Sequence, residues 1–224
     1  MNIEVNGTTL WYEKFGQGKP LIMLHGNNED SSIFDAVKDK LAERFCVYLI
    51  DLRGHGKSAE VTELDYNVMA EDIKEFIEKT RLDLEDPILY GFSDGGIIGL
   101  LLAIKYPFLL SKLIVSGPNT NPKAIKPLNK FRMKLAYVFK KSPKLKLMLQ
   151  GPNITKEQLG SIKIQVLILA GEKDIVDIKD LEFISANIPN SRLKILPGET
   201  HSSYVVNSTK LVDIMIPFIV LLAF

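Results

Sequence analysis

A single cysteine, Cys46, leaves this 224-residue chain without the means to form an internal disulfide. A chain so poor in cysteine suits a reducing compartment. Residues 1–7 offer neither the basic start nor the apolar centre of a secretory leader, so a cytoplasmic location is the expectation. The apolar run at 214–224 has eleven residues, well short of the roughly twenty that span a bilayer. It reads as a core helix, with an oligomer contact or a peripheral membrane contact as the other roles open to it. Histidine is scarce too: only His25, His55 and His201 could serve as a base. No internal repeat or low-complexity tract interrupts the chain. Acidic residues are missing altogether from 118–150, which holds nine basic ones. The remainder then carries 19 basic against 27 acidic residues, so the near-neutral total of +1 hides a basic segment on an acidic body.

What is present has the proportions of one globular domain, with 46% apolar and 25% charged residues. Short apolar runs at 21–24, 47–50, 88–90, 113–115, 164–171 and 192–196 read as buried strands of a largely parallel sheet. Segments at 3–5 and 10–15, joined near Asn6-Gly7, read as a hairpin. Helical spacing marks 66–81, where Val68, Ile73, Phe76 and Ile77 recur. Further helices are expected over about 30–43, 95–106, 181–187 and 204–222. Strands alternating with helices give a doubly wound α/β sheet, with functional loops at the carboxyl ends of the strands.

Between a strand and a helix lies Gly91-Phe92-Ser93-Asp94-Gly95-Gly96. A serine at the apex of such a turn sits before a helix N-terminus whose free N–H groups suit an oxyanion. A serine hydroxyl needs a base to become a useful nucleophile. Further along, Asp174 follows the strand-like run 164–171, and His201 follows 192–196 in the stretch Pro197-Gly198-Glu199-Thr200-His201-Ser202. The order is therefore Ser93, Asp174, His201, each on a loop just past a strand. Asp177 is close enough to rival Asp174 for the acid role. His25 comes too early to be the base, and His55, between two glycines, reads as structural, organising Asp51 and Ser58.

This serine-acid-histidine order, with the elbow around Ser93, resembles the α/β-hydrolases. The likeness covers nearly the whole chain. Leu24-His25-Gly26-Asn27 resembles the family's His-Gly oxyanion turn. Asp51-Leu52-Arg53-Gly54-His55-Gly56-Lys57-Ser58 resembles its Asp-x-Arg-Gly-x-Gly-x-Ser loop, and Gly171-Glu172-Lys173-Asp174 its acid turn. The resemblance is to small esterases, and Ser-Asp-Gly-Gly elbows occur in biphenyl-hydrolase-like esterases. It implies an eight-stranded, mostly parallel sheet with a small helical cap, the core being 1–117 and 162–224 and the cap 118–161. It also implies a catalytic Ser93, Asp174 and His201, with an oxyanion hole from the backbone N–H groups of Asn27 and Asp94.

Asp94 has two readings, a carboxylate facing an ammonium-bearing substrate or a favourable charge at a helix N-terminus. Leu128, Phe131, Leu135 and Val138 recur at helical spacing in the cap, and Phe131 and Leu135 are expected to roof the substrate pocket. The basic cap reads as a solvated face, as a lure for an anionic substrate, or as a contact for an acidic surface such as a membrane. Nucleic acid is not expected, because no base-stacking module accompanies the charge. No metal or organic cofactor is implied. The expected protein is a monomer or homodimer that hydrolyses a small to medium, partly apolar carboxylic ester through an acyl-enzyme. Carbon–carbon bond hydrolysis of meta-cleavage type, amide hydrolysis, perhydrolysis and a non-enzymatic small-molecule receptor are the alternatives.

Overall fold

Strand-forming runs of Val, Ile, Leu and Tyr pair into one sheet in the computed structural model, which describes residues 1–220. In chain order the strands are β1 (Asn2–Val5), β2 (Thr8–Phe15), β3 (Pro20–Leu24), β4 (Cys46–Asp51), β5 (Ile88–Phe92), β6 (Lys112–Ser116), β7 (Gln165–Lys173) and β8 (Ser191–Thr200). Their spatial order is β1-β2-β4-β3-β5-β6-β7-β8. The two N-terminal strands run antiparallel, β1 on β2 and β2 on β4. All later neighbours are parallel. Asn6 and Gly7 both take positive φ, 42° and 72°, which the tight β1–β2 turn requires. Every residue of β3, β4 and β5 is buried, which is why those strands are apolar throughout rather than alternating.

Helices cover both faces. One face takes α2 (Tyr66–Lys79), α3 (Asp94–Lys105), α6 (Lys156–Gly160) and α7 (Ile178–Asn187), through side chains such as Ile73, Ile98, Leu159 and Leu181. The other takes α1 (Asp35–Ala42) and α8 (Lys210–Val220), through Val37, Leu41, Leu211 and Met215. Local signals start several of them. Asp65 accepts from the N–H groups of Asn67 and Val68, and Thr155 with Gln158 forms a reciprocal capping box. Asp177 caps α7 through the Lys179 N–H.

The segment 118–161 leaves the sheet after β6 and returns before β7. It forms a short 3-10 turn (Pro122–Ala124), α4 (Pro127–Lys140), α5 (Pro143–Gln150) and α6. The last helix starts at Lys210, later than the expected 204, because Tyr204 and Val205 are buried in a preceding turn. Core packing is the role α8 takes over its described length. Residues 221–224 of the expected helix and of the apolar C-terminal run lie outside the described residues.

Candidate active site

Ser93 sits between β5 and α3 with φ 51° and ψ −110°. A non-glycine residue held there stores on the order of 1–3 kcal/mol of strain, which the surrounding structure must enforce. Its own N–H donates to the Ser116 carbonyl on the neighbouring strand at 2.7 Å. The Gly95 N–H donates to the His25 carbonyl at 3.2 Å. A Cβ at Gly95 would lie 2.5 Å from the Leu24 oxygen, so only glycine lets α3 start this close to the end of β3.

β7 and β8 run further than their apolar cores, with Lys173 paired to Thr200 beyond an irregularity at Gly171. That extension sets Asp174 and His201 directly past two adjacent strand ends. His201 Nδ1 donates to Asp174 Oδ1 at 2.6 Å, and the Ser93 hydroxyl donates to His201 Nε2 at 3.1 Å. The direction follows from Asp174, a carboxylate that only accepts. Burial pushes the Asp174 carboxyl up, but the His201 hydrogen bond and charge and the Val176 N–H outweigh it, leaving its pKa below the usual carboxylate value. Lys126 Nζ donates to the Asp174 carbonyl at 2.6 Å. Gly117, at φ +58°, packs under the imidazole; a Cβ there would lie 2.6 Å from His201 Cε1. Asp177, the rival acid, is engaged as the cap of α7.

The two early histidines brace loops. Leu52 N–H donates to His25 Nε2 at 2.9 Å, so the ring proton is on Nδ1, which donates to the Gly26 carbonyl at 2.7 Å. The ring thus ties the Gly26 turn to the end of β4. His55 faces the Arg53 carbonyl at 2.9 Å rather than Asp51 or Ser58. Those two bond each other, Ser58 Oγ donating to the Asp51 carbonyl at 2.5 Å.

A family model described as alpha/beta hydrolase fold matches residues 19–144. The chain belongs to this family. A probable alcohol acetyltransferase of Saccharomyces cerevisiae is 41% identical over 42% of this chain, and the chain spans only 29% of that protein's length. The AB hydrolase superfamily protein YisY of Bacillus subtilis is 27% identical over 94% of this chain and 95% of its own. Among solved structures, an esterase from Exiguobacterium antarcticum superposes with a TM-score of 0.81, at 24% identity, over 97% of this chain and 98% of its own. That likeness is one of fold.

In this α/β-hydrolase a cavity of about 410 Å³ lies between the strand ends and the cap. Ser93, His201, Gly26 and Asn27 line it together with Phe92, Ile175 and Ser202. The cap contributes Met133, Ala136 and Lys140 from α4, and Lys144, Leu145 and Met148 from α5. The Asn27 and Asp94 N–H groups find no acceptor among the described residues. Asn27 and Asp94 are adjacent, with Asn27 Nδ2 donating to Asp94 Oδ2 at 2.7 Å.

Two expectations are corrected. Phe131 and Leu135 do not roof the cavity: they are 63% and 49% exposed, on the opposite side of α4 from Met133 and Ala136. Asp94 does not face this cavity and, with Tyr66, Ser93 and His201, lines only a pocket of about 10 Å³ beside it; its place as the acidic first residue of α3 agrees with the helix-terminus reading. It is 2% exposed, with Oδ1 accepting from Tyr66 at 2.8 Å and Oδ2 from Asn27. Its carboxyl is pushed up by burial against the pull of those two donors. Asn27 Nδ2 also donates to the Lys144 carbonyl at 3.2 Å, so the group links the early turn, α2, the elbow and the cap.

Several lining residues were not singled out in the sequence, among them Met133, Leu145, Met148, Ile175 and Glu29. Glu29 accepts from the Gly26 N–H at 3.0 Å, and burial raises its pKa. Its signal is its place three residues beyond the His25-Gly26 turn. Among the described residues no group of His, Cys, Asp and Glu is arranged to hold a metal ion. No described helix is long and apolar enough to cross a membrane.

Proposed function

We propose that this α/β-hydrolase is a carboxylic-ester hydrolase acting through an acyl-enzyme on Ser93. The supporting observation is the single hydrogen-bonded line from Ser93 Oγ through the His201 ring to the buried Asp174. His201 Nε2 takes the hydroxyl proton as Ser93 attacks the ester carbonyl. Asp174 holds the ring in the tautomer that leaves Nε2 free and stabilises the imidazolium that forms. The tetrahedral oxyanion is received by the Asn27 and Asp94 N–H groups. Each such donor is typically worth about 3 kcal/mol in the transition state. Collapse expels the alcohol, which takes the proton from His201. Water then repeats the sequence and releases the acid, restoring Ser93.

The cavity supports an acyl group of small to medium size. Phe92, Met133, Leu145, Met148 and Ile175 give it apolar walls. Lys140 and Lys144 stand at its cap side, where a carboxylate or other anionic end of the substrate would be favoured.

A fluorophosphonate probe and p-nitrophenyl esters of short and medium chain test the reading. Wild type should be labelled at Ser93 and turn over repeatedly. Ser93→Ala should lose labelling, and both it and His201→Ala should lose turnover, by up to about 10⁶-fold as in a serine protease. Ester turnover that persists in Ser93→Ala would refute the proposal. Labelling without turnover on any ester would favour a receptor over an enzyme.

A further inference from the structure

α4 has no buried residue, and five of its apolar side chains point outward. Leu128, Phe131, Leu135, Val138 and Phe139 are 61%, 63%, 49%, 67% and 79% exposed. At 3.6 residues per turn the five fall in one stripe about 100° wide along the helix. Arg132 borders one edge of the stripe and Lys130 and Lys134 the other. None of these three cations forms an ion pair among the described residues. No acidic residue occurs anywhere between 118 and 150 to oppose them. The remaining face of the helix is already used: Met133, Ala136 and Lys140 line the cavity.

We propose that α4 is an interfacial helix that docks this protein on an anionic lipid membrane. The pattern matches what such a surface requires. An apolar stripe with two phenylalanines enters the boundary between headgroups and acyl chains. The flanking Lys and Arg side chains reach back to the phosphates while their alkyl stems stay apolar. The acidic body, net −8 outside 118–150, is repelled by the same surface, so the charge asymmetry orients the molecule with its cap toward the lipid. The stripe is a convex ridge on a single helix, without the groove that a protein partner's anchor residue would fill. Docking by this ridge sets the cap wall of the cavity on the membrane surface. The inference rests on α4 alone and holds whether or not Ser93 is a nucleophile.

The test is vesicle co-sedimentation of the full chain. One set of vesicles is pure phosphatidylcholine; the other has roughly a quarter of it replaced by phosphatidylglycerol. The protein should partition at least tenfold more strongly into the anionic vesicles, and the excess should fall as salt is raised, since exposed charges are screened. Phe131→Asp with Leu135→Asp, and separately Lys130→Glu with Lys134→Glu, should each reduce partitioning at least tenfold. All four positions are on a face with no core contacts, so thermal melting should match wild type. Equal partitioning into both vesicle types, or anionic binding that survives both double substitutions, overturns the proposal. So does a concentration-dependent dimer in sedimentation velocity that Phe131→Asp with Leu135→Asp abolishes, which would assign the ridge to a second copy of the chain.

Discussion

Burying the Asp94 carboxylate costs folding free energy, and the Tyr66 hydroxyl and Asn27 amide offset part of that cost. Its folded pKa lies above its unfolded one, so the penalty sets in as pH rises past the unfolded value and is complete above the folded one. Asp94→Asn keeps the shape without the charge: its amide oxygen accepts from Asn27 and its NH₂ donates to the Tyr66 oxygen. This variant should be at least as stable as wild type at pH 8. Asp94→Ala strands the buried Tyr66 hydroxyl and leaves the half-buried Asn27 amide with the Lys144 carbonyl alone, and should lose about 1–3 kcal/mol. Urea melts of the three proteins decide it; an alanine variant equal to wild type would mean the clamp contributes nothing. The partners of Asp94 could not be read from the sequence, because Tyr66 and Asn27 lie 28 and 67 residues away. Ser93, Asp174 and His201 were legible for the opposite reason. Their positions are local, each marked by its own strand end, and only their order along the chain has to be right.

An apolar period identifies a helix but not which side of it meets a core, and α4 shows the difference. Leu128, Phe131, Leu135 and Val138 do fall on one face of a helix, as their spacing indicates, yet that face looks away from the cavity. In α2 the same kind of period is buried, through Met69, Ile73, Phe76 and Ile77, because the sheet is there to receive it. Strand ends hid themselves differently. β7 and β8 continue through polar residues that pair with each other, Lys173 with Thr200, and hydropathy gives no sign of a ladder made of backbone alone. Without buried side chains, α4 gains little from tertiary packing, which supplies most of a helix's stability in proteins. Its amides should therefore exchange with solvent well before those of α3, which buries ten of its twelve residues. Hydrogen-exchange mass spectrometry reads this directly, and α4 protection equal to that of α3 would show the cap to be part of the rigid core.

Across the whole molecule, acid sensitivity is set by histidines that fold uncharged. His25 is fully buried and His55 is 1% exposed, with their rings 5.3 Å apart. Burial lowers both pKa values, that of His55 from 6.5 to about 4, where the neighbouring His25 ring also disfavours its charge. The unfolded chain takes up a proton at His55 near pH 6.5 and the folded chain only near 4, so stability rises with pH across that interval and is lost as pH falls through it. Each such histidine contributes a slope of about 1.4 kcal/mol per pH unit, which for His55 amounts to about 3 kcal/mol between pH 6.5 and 4. Asp174 acts lower: its folded pKa is depressed below 3.8, so its stabilisation is complete above the unfolded value and is lost only in stronger acid. The fall in stability from pH 7 to pH 4.5 therefore belongs to the histidines. Urea melts over that range should show it in wild type, and His55→Gln should flatten the slope by close to one proton's worth even if its stability at pH 7 is lower. The raised carboxyls of Asp94, Glu29 and Asp180 act in the opposite sense, so the decisive comparison is between the two proteins: a slope from pH 7 to pH 4.5 that is the same in His55→Gln as in wild type would mean that the His55 ring accepts its proton without leaving the fold.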